Sequence, residues 1–387
     1  MKRTVKNPLE RTRQPLLPPA SRSRTALGLA AAAARGRFAL QVCASCGTVQ
    51  YPPREVCGTC LSPELAWREV PDAGTLTALT TVRIAADPYF RERTPGRIGL
   101  VALACGPNVV SHLAADMPPG AAVRMTLKLD AAGQGVMVAL PTEDAHMPRE
   151  FTADPAGRRV LVTDGRHATG PAMARALLQA GAASVHVGVA DAWRPFPQRD
   201  ALLAMGAGLV ELDVTDTGSV HRLAASLGGQ VEILVNTALH LRPATDGLVA
   251  AREEMETSYF GLLRLARHFG PALQARAADG SHPACAWVNI IGVDALAGTS
   301  PAQAAVLAVA QGLRASLRPI RVVNALVGVL DDDWHQGVPP PKVSPSALAA
   351  AVVAALLAGT EDMAVGDIAQ DRLARFIDNP AILARDL

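Results

Sequence analysis

Cys43, Cys46, Cys57 and Cys60 form two C-x2-C pairs with ten residues between them, and no other stretch limits so severely what this chain can fold into. Two short knuckles carrying paired thiolates suit tetrahedral coordination of a soft divalent cation, most simply Zn2+. A site with four Cys ligands is coordinatively closed, so the metal expected here is structural and leaves no position for water or substrate. Redox-active pairs or disulfides are the alternatives that the spacing leaves open. Each knuckle needs a tight turn, for which Gly47 and Gly58 supply residues tolerant of positive φ.

A chain of 387 residues exceeds what one core usually serves, so two or three domains are expected. Hydrophobic residues make up 49% and aromatic residues only 4%, which makes those cores aliphatic. With 37 basic residues against 35 acidic ones, there is no bulk electrostatic case for a nucleic-acid partner. Cys105 and Cys285 stand far apart in sequence, which suits a reducing cytoplasm better than a disulfide framework. No apolar run approaches the roughly 20 residues that span a bilayer, and no apolar segment with a cleavage site follows the basic start. A soluble, cytoplasmic protein without a membrane partner is expected.

Residues 1–24, rich in Pro and Arg without apolar period, read as a disordered tail. A short Ala-rich helix begins near Thr25 and ends at Gly36, and with Phe38–Val42 and the knuckles it forms a helix-and-ribbon unit over 25–65. Beyond Cys60, β-rich runs at 66–70, 74–84, 98–104, 123–129 and 135–140 predict a five-stranded barrel of the OB type over 66–142. This barrel lacks the interleaved basic and aromatic residues that stacking on bases requires.

Gly36-Arg37-Phe38, Cys43-x2-Cys46-Gly47, Tyr51-Pro52-Pro53-Arg54, Cys57-x2-Cys60, Trp67 and Gly74-Thr75 together resemble the zinc-ribbon/OB-fold family of acyl-CoA-associated proteins, over roughly residues 25–142. The resemblance implies a rubredoxin-like ribbon followed by a barrel. It also implies an auxiliary subunit that accompanies a thiolase-like or aldolase enzyme of steroid or aromatic side-chain breakdown, contacts acyl-CoA and completes the partner's active site. Arg83, Arg91, Arg93 and Arg97 could meet CoA phosphates, or simply form a solvated loop.

Residues 143–157, spaced by prolines, read as a linker. From 158 to 387 the texture changes to alternating strands and Ala/Leu-rich helices, beginning with Arg159–Thr163 and a helix over 171–180, which predicts an α/β Rossmann-type doubly wound parallel sheet. Leu212-Asp213-Val214-Thr215-Asp216, Val235-Asn236-Thr237-Ala238, Val288-Asn289-Ile290 and Ile320–Asn324 give this half a resemblance to the short-chain dehydrogenase/reductase family. That family binds NAD(H) or NADP(H) through a Thr-Gly-x3-Gly-x-Gly loop. Here Thr163-Asp164-Gly165-Arg166-His167-Ala168-Thr169-Gly170 keeps only the last glycine in register, and Asp164 brings negative charge toward a diphosphate. If a nicotinamide dinucleotide binds at all, the resemblance assigns its contacts to Gly165, Gly170, Asp191, Asp213 and Asn236.

The family's chemistry rests on a Tyr acid/base, a Lys four residues later, an orienting Ser and a relay Asn. In this chain the last tyrosine is Tyr259 and no lysine lies between Lys128 and Lys342; the helix that should carry the pair runs through Gln303 and Leu307, Gly292 aligns with the Ser and Ser258 with the Asn. A catalytically inactive dehydrogenase-like half is the expectation. Its segments Met255–Leu273 and Ala302–Leu317 could pair with a second copy or with an active dehydrogenase subunit, or face the core. The two resemblances together imply a non-catalytic accessory subunit that meets acyl-CoA beside a thiolase or aldolase. An NAD-dependent reductase acting on a hydroxyacyl- or ketoacyl-CoA is the alternative.

Overall fold

A computed structural model of the chain describes residues 17–20, 23–143, 147–238, 247–278, 285–383 and 385. Most of the expected tail (1–16 and 21–22) and part of the expected linker (144–146) lie outside the described residues.

Helix α1 (Leu27–Ala34) follows a 3-10 turn at Arg24–Ala26 and buries Leu29, Ala32, Ala33 and Ala34. Gly36, at φ +67°, ends it as expected. Strand β1 (Ala39–Cys43) pairs antiparallel with β2 (Val49–Gln50) on one side and β3 (Leu65–Glu69) on the other, which makes the ribbon a three-stranded sheet among the described residues. The run at 66–70, counted above toward the barrel, therefore belongs to the ribbon.

The barrel closes through β4 (Ala73–Val82), β5 (Gly96–Leu103), β6 (Asn108–Leu113), β7 (Ala122–Leu129) and β8 (Gly135–Pro141), in the order β4-β5-β6-β8-β7, with the short helix α2 (Pro88–Arg91) between β4 and β5. Its fifth strand is β6, which the apolar pattern hides. Ser111 takes an inward place there while Val110 is 56% exposed, so the polarity runs against the usual alternation. Leu76, Val101, Val109, Met125 and Leu127 fill the barrel, and α1 packs on β7 and β8.

The second half is a sheet of parallel strands: β9 (Arg159–Val162), β10 (Ser184–Val189), β11 (Gly208–Glu211), β12 (Ile233–Asn236), β13 (Ala286–Gly292), β14 (Arg321–Val327) and β15 (Asp362–Val365). Among the described residues their order is β11-β10-β9-β12-β13-β14-β15, with the reversal between β9 and β12 that defines a switch point. Val160, Leu161, Ile233, Leu234 and Val288 are fully buried, as strands covered by helices on both faces must be. The helices that matter below are α3 (Thr169–Gln179), α4 (Gly261–Ala278), α5 (Pro301–Ser316) and α6 (Pro345–Ala358). A π-helical turn at Met255–Phe260 leads into α4, which turns Leu262, Leu265, Phe269 and Leu273 to the core and leaves Leu263 exposed, as it leaves Phe260 in the turn before it. Strand β15 escapes the sequence pattern because it is short and half-buried.

The two halves meet along a polar seam. The buried Lys128 Nζ donates to Ala358 O at 2.6 Å, and Glu361 N–H donates to Ala34 O at 2.8 Å. Arg321 donates to Leu129 O on the barrel side and to Gly359 O and Glu361 Oε1 on the other. Burial pushes the Glu361 carboxyl up, while Arg321 and Arg314 pull it back. Phe151 and Ala153, within the expected linker, are buried, and Ala153 N–H donates to Leu356 O.

Candidate metal centre and dinucleotide crevice

The four knuckle sulfurs lie within 4.8 Å of one another. Cys43 and Cys60 Sγ are 3.6 Å apart, as are Cys46 and Cys57 Sγ. Four sulfurs at about 2.3 Å from a central Zn2+ would sit about 3.8 Å apart, so the donor set fits that ion and is too open for disulfides. Each knuckle closes by a backbone bond, Gly47 N–H to Cys43 O and Leu61 N–H to Cys57 O. The residue after the second Cys takes the left-handed conformation in both, Gly47 at φ +73° and Leu61 at φ +61°. Gly58 was assigned that role above; it sits inside the knuckle, where the turn does not call for positive φ. A leucine tolerates the strain because its side chain is 74% exposed and meets no core.

Behind the knuckles, two buried amides fix the second loop. Gln41 Oε1 accepts from Arg54 N–H and from Gln50 Nε2, and Gln50 Oε1 accepts from Gly58 N–H. The thiols divide in their acidity. The Thr48 hydroxyl and N–H bring Cys46 down to about 6, and the Cys60 and Thr59 N–H groups lower Cys57. At Cys60 the Ser62 N–H acts in the lowering sense, but the neighbouring Cys46 and Cys43 outweigh it and push the thiol up to about 12. Such a cluster cannot ionise fully without a cation, and a divalent metal supplies that charge. Zn2+ held by Cys43, Cys46, Cys57 and Cys60 would pin the two knuckles together and carry no chemistry of its own.

In the second half, the expected dinucleotide contacts gather at the C-terminal edge of the sheet: Gly165 and Gly170 after β9, Asp191 after β10, Asp213 after β11 and Asn236 at the end of β12. What surrounds them is the chain itself. Arg166 donates to Ala190 O and Asp191 O, tying the loop after β9 across the end of β10, and its guanidinium faces the Phe196 ring. His167 pairs with the Asp164 carboxylate at 3.2 Å, and its ring packs edge-on against Trp334 at 3.8 Å between centroids. Burial pushes the Asp164 carboxyl up despite His167 and Arg166 nearby. Gly170 approaches the loop so closely that a Cβ there would meet Asp164 O at 2.0 Å, which explains why the last glycine is the one retained. Asp213 caps its own turn, accepting from Thr215 N–H and Oγ1, and Asn236 Oδ1 accepts from Thr163 Oγ1. Spacing alone gave no sign of the contributions of Arg166 and Trp334, which meet this crevice from different loops.

The positions aligned with the dehydrogenase acid/base set are also in mutual contact. Gly292 N–H donates to Gln303 Oε1 at 3.1 Å, and Gln303 Nε2 donates to Ser258 Oγ at 3.3 Å. Gln303 is 2% exposed and Ser258 fully buried. A carboxamide neither gains nor loses charge near neutral pH, so Gln303 orders three segments without acting as an acid or a base.

Residues 30–66 match the family model described as the ChsH2 rubredoxin-like zinc ribbon domain, and residues 67–128 match the ChsH2 C-terminal OB-fold domain. No curated protein matches the chain. Among solved structures, a short-chain dehydrogenase from Burkholderia cenocepacia J2315, solved in complex with NADP, is similar at a TM-score of 0.51 and 28% identity, covering 60% of this chain and 98% of that one. A short-chain dehydrogenase from Streptomyces avermitilis is similar at a TM-score of 0.49 and 23% identity, over 60% of this chain and 96% of that one. The chain thus joins a ChsH2-type zinc ribbon and OB-fold barrel to a Rossmann-like sheet of the short-chain dehydrogenase kind. No helix among the described residues is long and apolar enough to cross a membrane.

Proposed function

We propose that this chain is a non-catalytic, acyl-CoA-binding accessory and scaffold subunit of a thiolase- or aldolase-type complex in acyl-CoA degradation, in the breakdown of steroid or aromatic side chains. Residues 25–142 face the thiolase-like partner, and residues 158–387 pair with a second copy or with an active dehydrogenase subunit. The observation that carries the reading is the Gln303 bridge between Gly292 and Ser258. Carbonyl reduction needs a group there that gives up and recovers a proton, and three mutually hydrogen-bonded neutral groups do not. A ChsH2-like ribbon and barrel on the same chain supports a role beside a thioester enzyme. A dehydrogenase and a thiolase act in succession on CoA thioesters, and tethering raises the effective concentration of one beside the other, to the millimolar range for a short connection. Cys105 and Cys285 are not joined in a disulfide, which agrees with a cytoplasmic setting.

The alternative, an NAD-dependent reductase of hydroxyacyl- or ketoacyl-CoA, draws support from the NADP bound by the Burkholderia relative. In that reading Gly165, Gly170, Asp191, Asp213 and Asn236 hold the nucleotide, and Arg166 must first leave the carbonyls of Ala190 and Asp191. Calorimetric titration with NAD(H) and NADP(H), run beside affinity capture from native lysate, separates the two. Capture of a thiolase-like subunit without nucleotide binding is expected. Tight nucleotide binding with turnover by the isolated protein would overturn the accessory reading.

A further inference from the structure

A cavity of about 670 Å³ opens where the barrel, α2 and the segment after β8 meet. Its lining shares no residue with the dinucleotide crevice and takes Tyr51 from the ribbon between the knuckles, and its volume falls within the roughly 300–1,000 Å³ usual for small-molecule sites. Tyr89, Phe90, Ile98, Val110, Met137 and Phe151 give it apolar walls. Phe151 arrives from the segment that leads into the second half. It packs on Val138 and Leu140 of β8, with its ring 6.0 Å from that of His112. The stretch that joins the halves therefore also shapes the cavity.

Of the four arginines singled out in the sequence, Arg93 and Arg97 line this space, and both are already engaged. The Arg93 guanidinium lies 3.6 Å from the centre of the Tyr89 ring and donates to Tyr89 O, and Arg97 is paired with Asp116. Asp87, Asp130 and Glu150 stand in the same walls. A phosphate entering here would meet carboxylates and would have to break existing cation contacts, whereas an uncharged ring or chain would only displace water from apolar surface. In the same wall Ser111, 2% exposed, has a hydroxyl without a hydrogen-bond partner.

We infer that this cavity receives the uncharged acyl group of a thioester, an aromatic or alicyclic chain, and that the nucleotide end of CoA stays outside it. The inference rests on the acyl-CoA reading above and narrows it from contact with CoA to recognition of the acyl end. The test uses zinc-loaded full-length protein titrated with 3-phenylpropanoyl-CoA, with 3-phenylpropanoyl-pantetheine, which lacks the nucleotide, and with free CoA. The two thioesters should bind within about threefold of each other, with free CoA at least about tenfold weaker. Val110→Trp, placed at an exposed position of β6, should weaken both thioesters about tenfold or more, while capture of the thiolase-like partner stays unchanged. Phe151→Ala, which enlarges the cavity, should shift preference toward bulkier acyl groups. Free CoA binding as tightly as its thioester would sink the inference, as would thioester binding indifferent to Val110→Trp. Absence of thioester binding in a protein that still captures its partner would overturn the inference and leave the accessory role standing; loss of both would remove the accessory role too.

Discussion

The knuckle pair and the loop after β9 are both short, glycine-bearing turns built to hold something, and they differ in what their polar groups do. In the knuckles four sulfurs converge within 4.8 Å of one another, and as thiolates they would repel one another. In the loop after β9, Asp164 has His167 and Arg166 has the carbonyls of Ala190 and Asp191. Converging donors that cannot satisfy one another call for an outside ligand, whereas a ligand that enters among groups already paired must first repay the bonds it breaks.

The largest test of this contrast is Cys43→Ser. Structural zinc sites are held by roughly 10–16 kcal/mol of binding free energy, so loss of one thiolate should release the metal and unfold the ribbon while the dehydrogenase-like sheet persists. Metal content and amide exchange read the two halves separately, and an intact ribbon without metal would break the comparison. Next in size is the seam through which the halves could influence each other. Arg321→Ala leaves Glu361 buried with less positive charge beside it and removes the bond to Leu129 O, an expected loss of about 3–5 kcal/mol in urea unfolding.

Lys128 offers a pH test of the same seam. Burial, aided by Arg321 and Arg124, holds its ammonium down to about 8 from 10.5. Between those two values the unfolded chain binds more protons than the folded one, so stability should rise with pH across that window by up to about 3 kcal/mol; below it the full penalty is present. In Lys128→Met that rise should be lost, so that it appears in the difference between the two proteins' stabilities across the window; parallel pH profiles for the two proteins would show that the charge is not buried. Gln303→Leu should cost about 1–3 kcal/mol by stranding Gly292 N–H, and should leave any activity of the partner complex untouched. Loss of turnover in that variant would restore a catalytic role to the second half. The smallest effect is expected at the knuckle itself, where Leu61→Gly removes a left-handed leucine and should stabilise the metal-loaded ribbon by about 1 kcal/mol.

The metal ligands, the helix ending at Gly36, the doubly wound sheet and the missing acid/base pair were all legible in the sequence. Each depends on spacing within a few residues, or on an apolar period that short segments carry by themselves. Only the folded chain showed that β3 pairs in the ribbon, that β6 completes the barrel, that Leu61 rather than Gly58 turns the second knuckle, and that Gln303 closes the dehydrogenase-like centre on Ser258. It also brought Lys128 to Ala358, and Phe151 to the barrel cavity. Strand partners, hydrogen bonds across hundreds of residues and the walls of a cavity depend on which distant segments come to lie side by side. Burial can make those contacts decisive without leaving any pattern in the neighbouring residues.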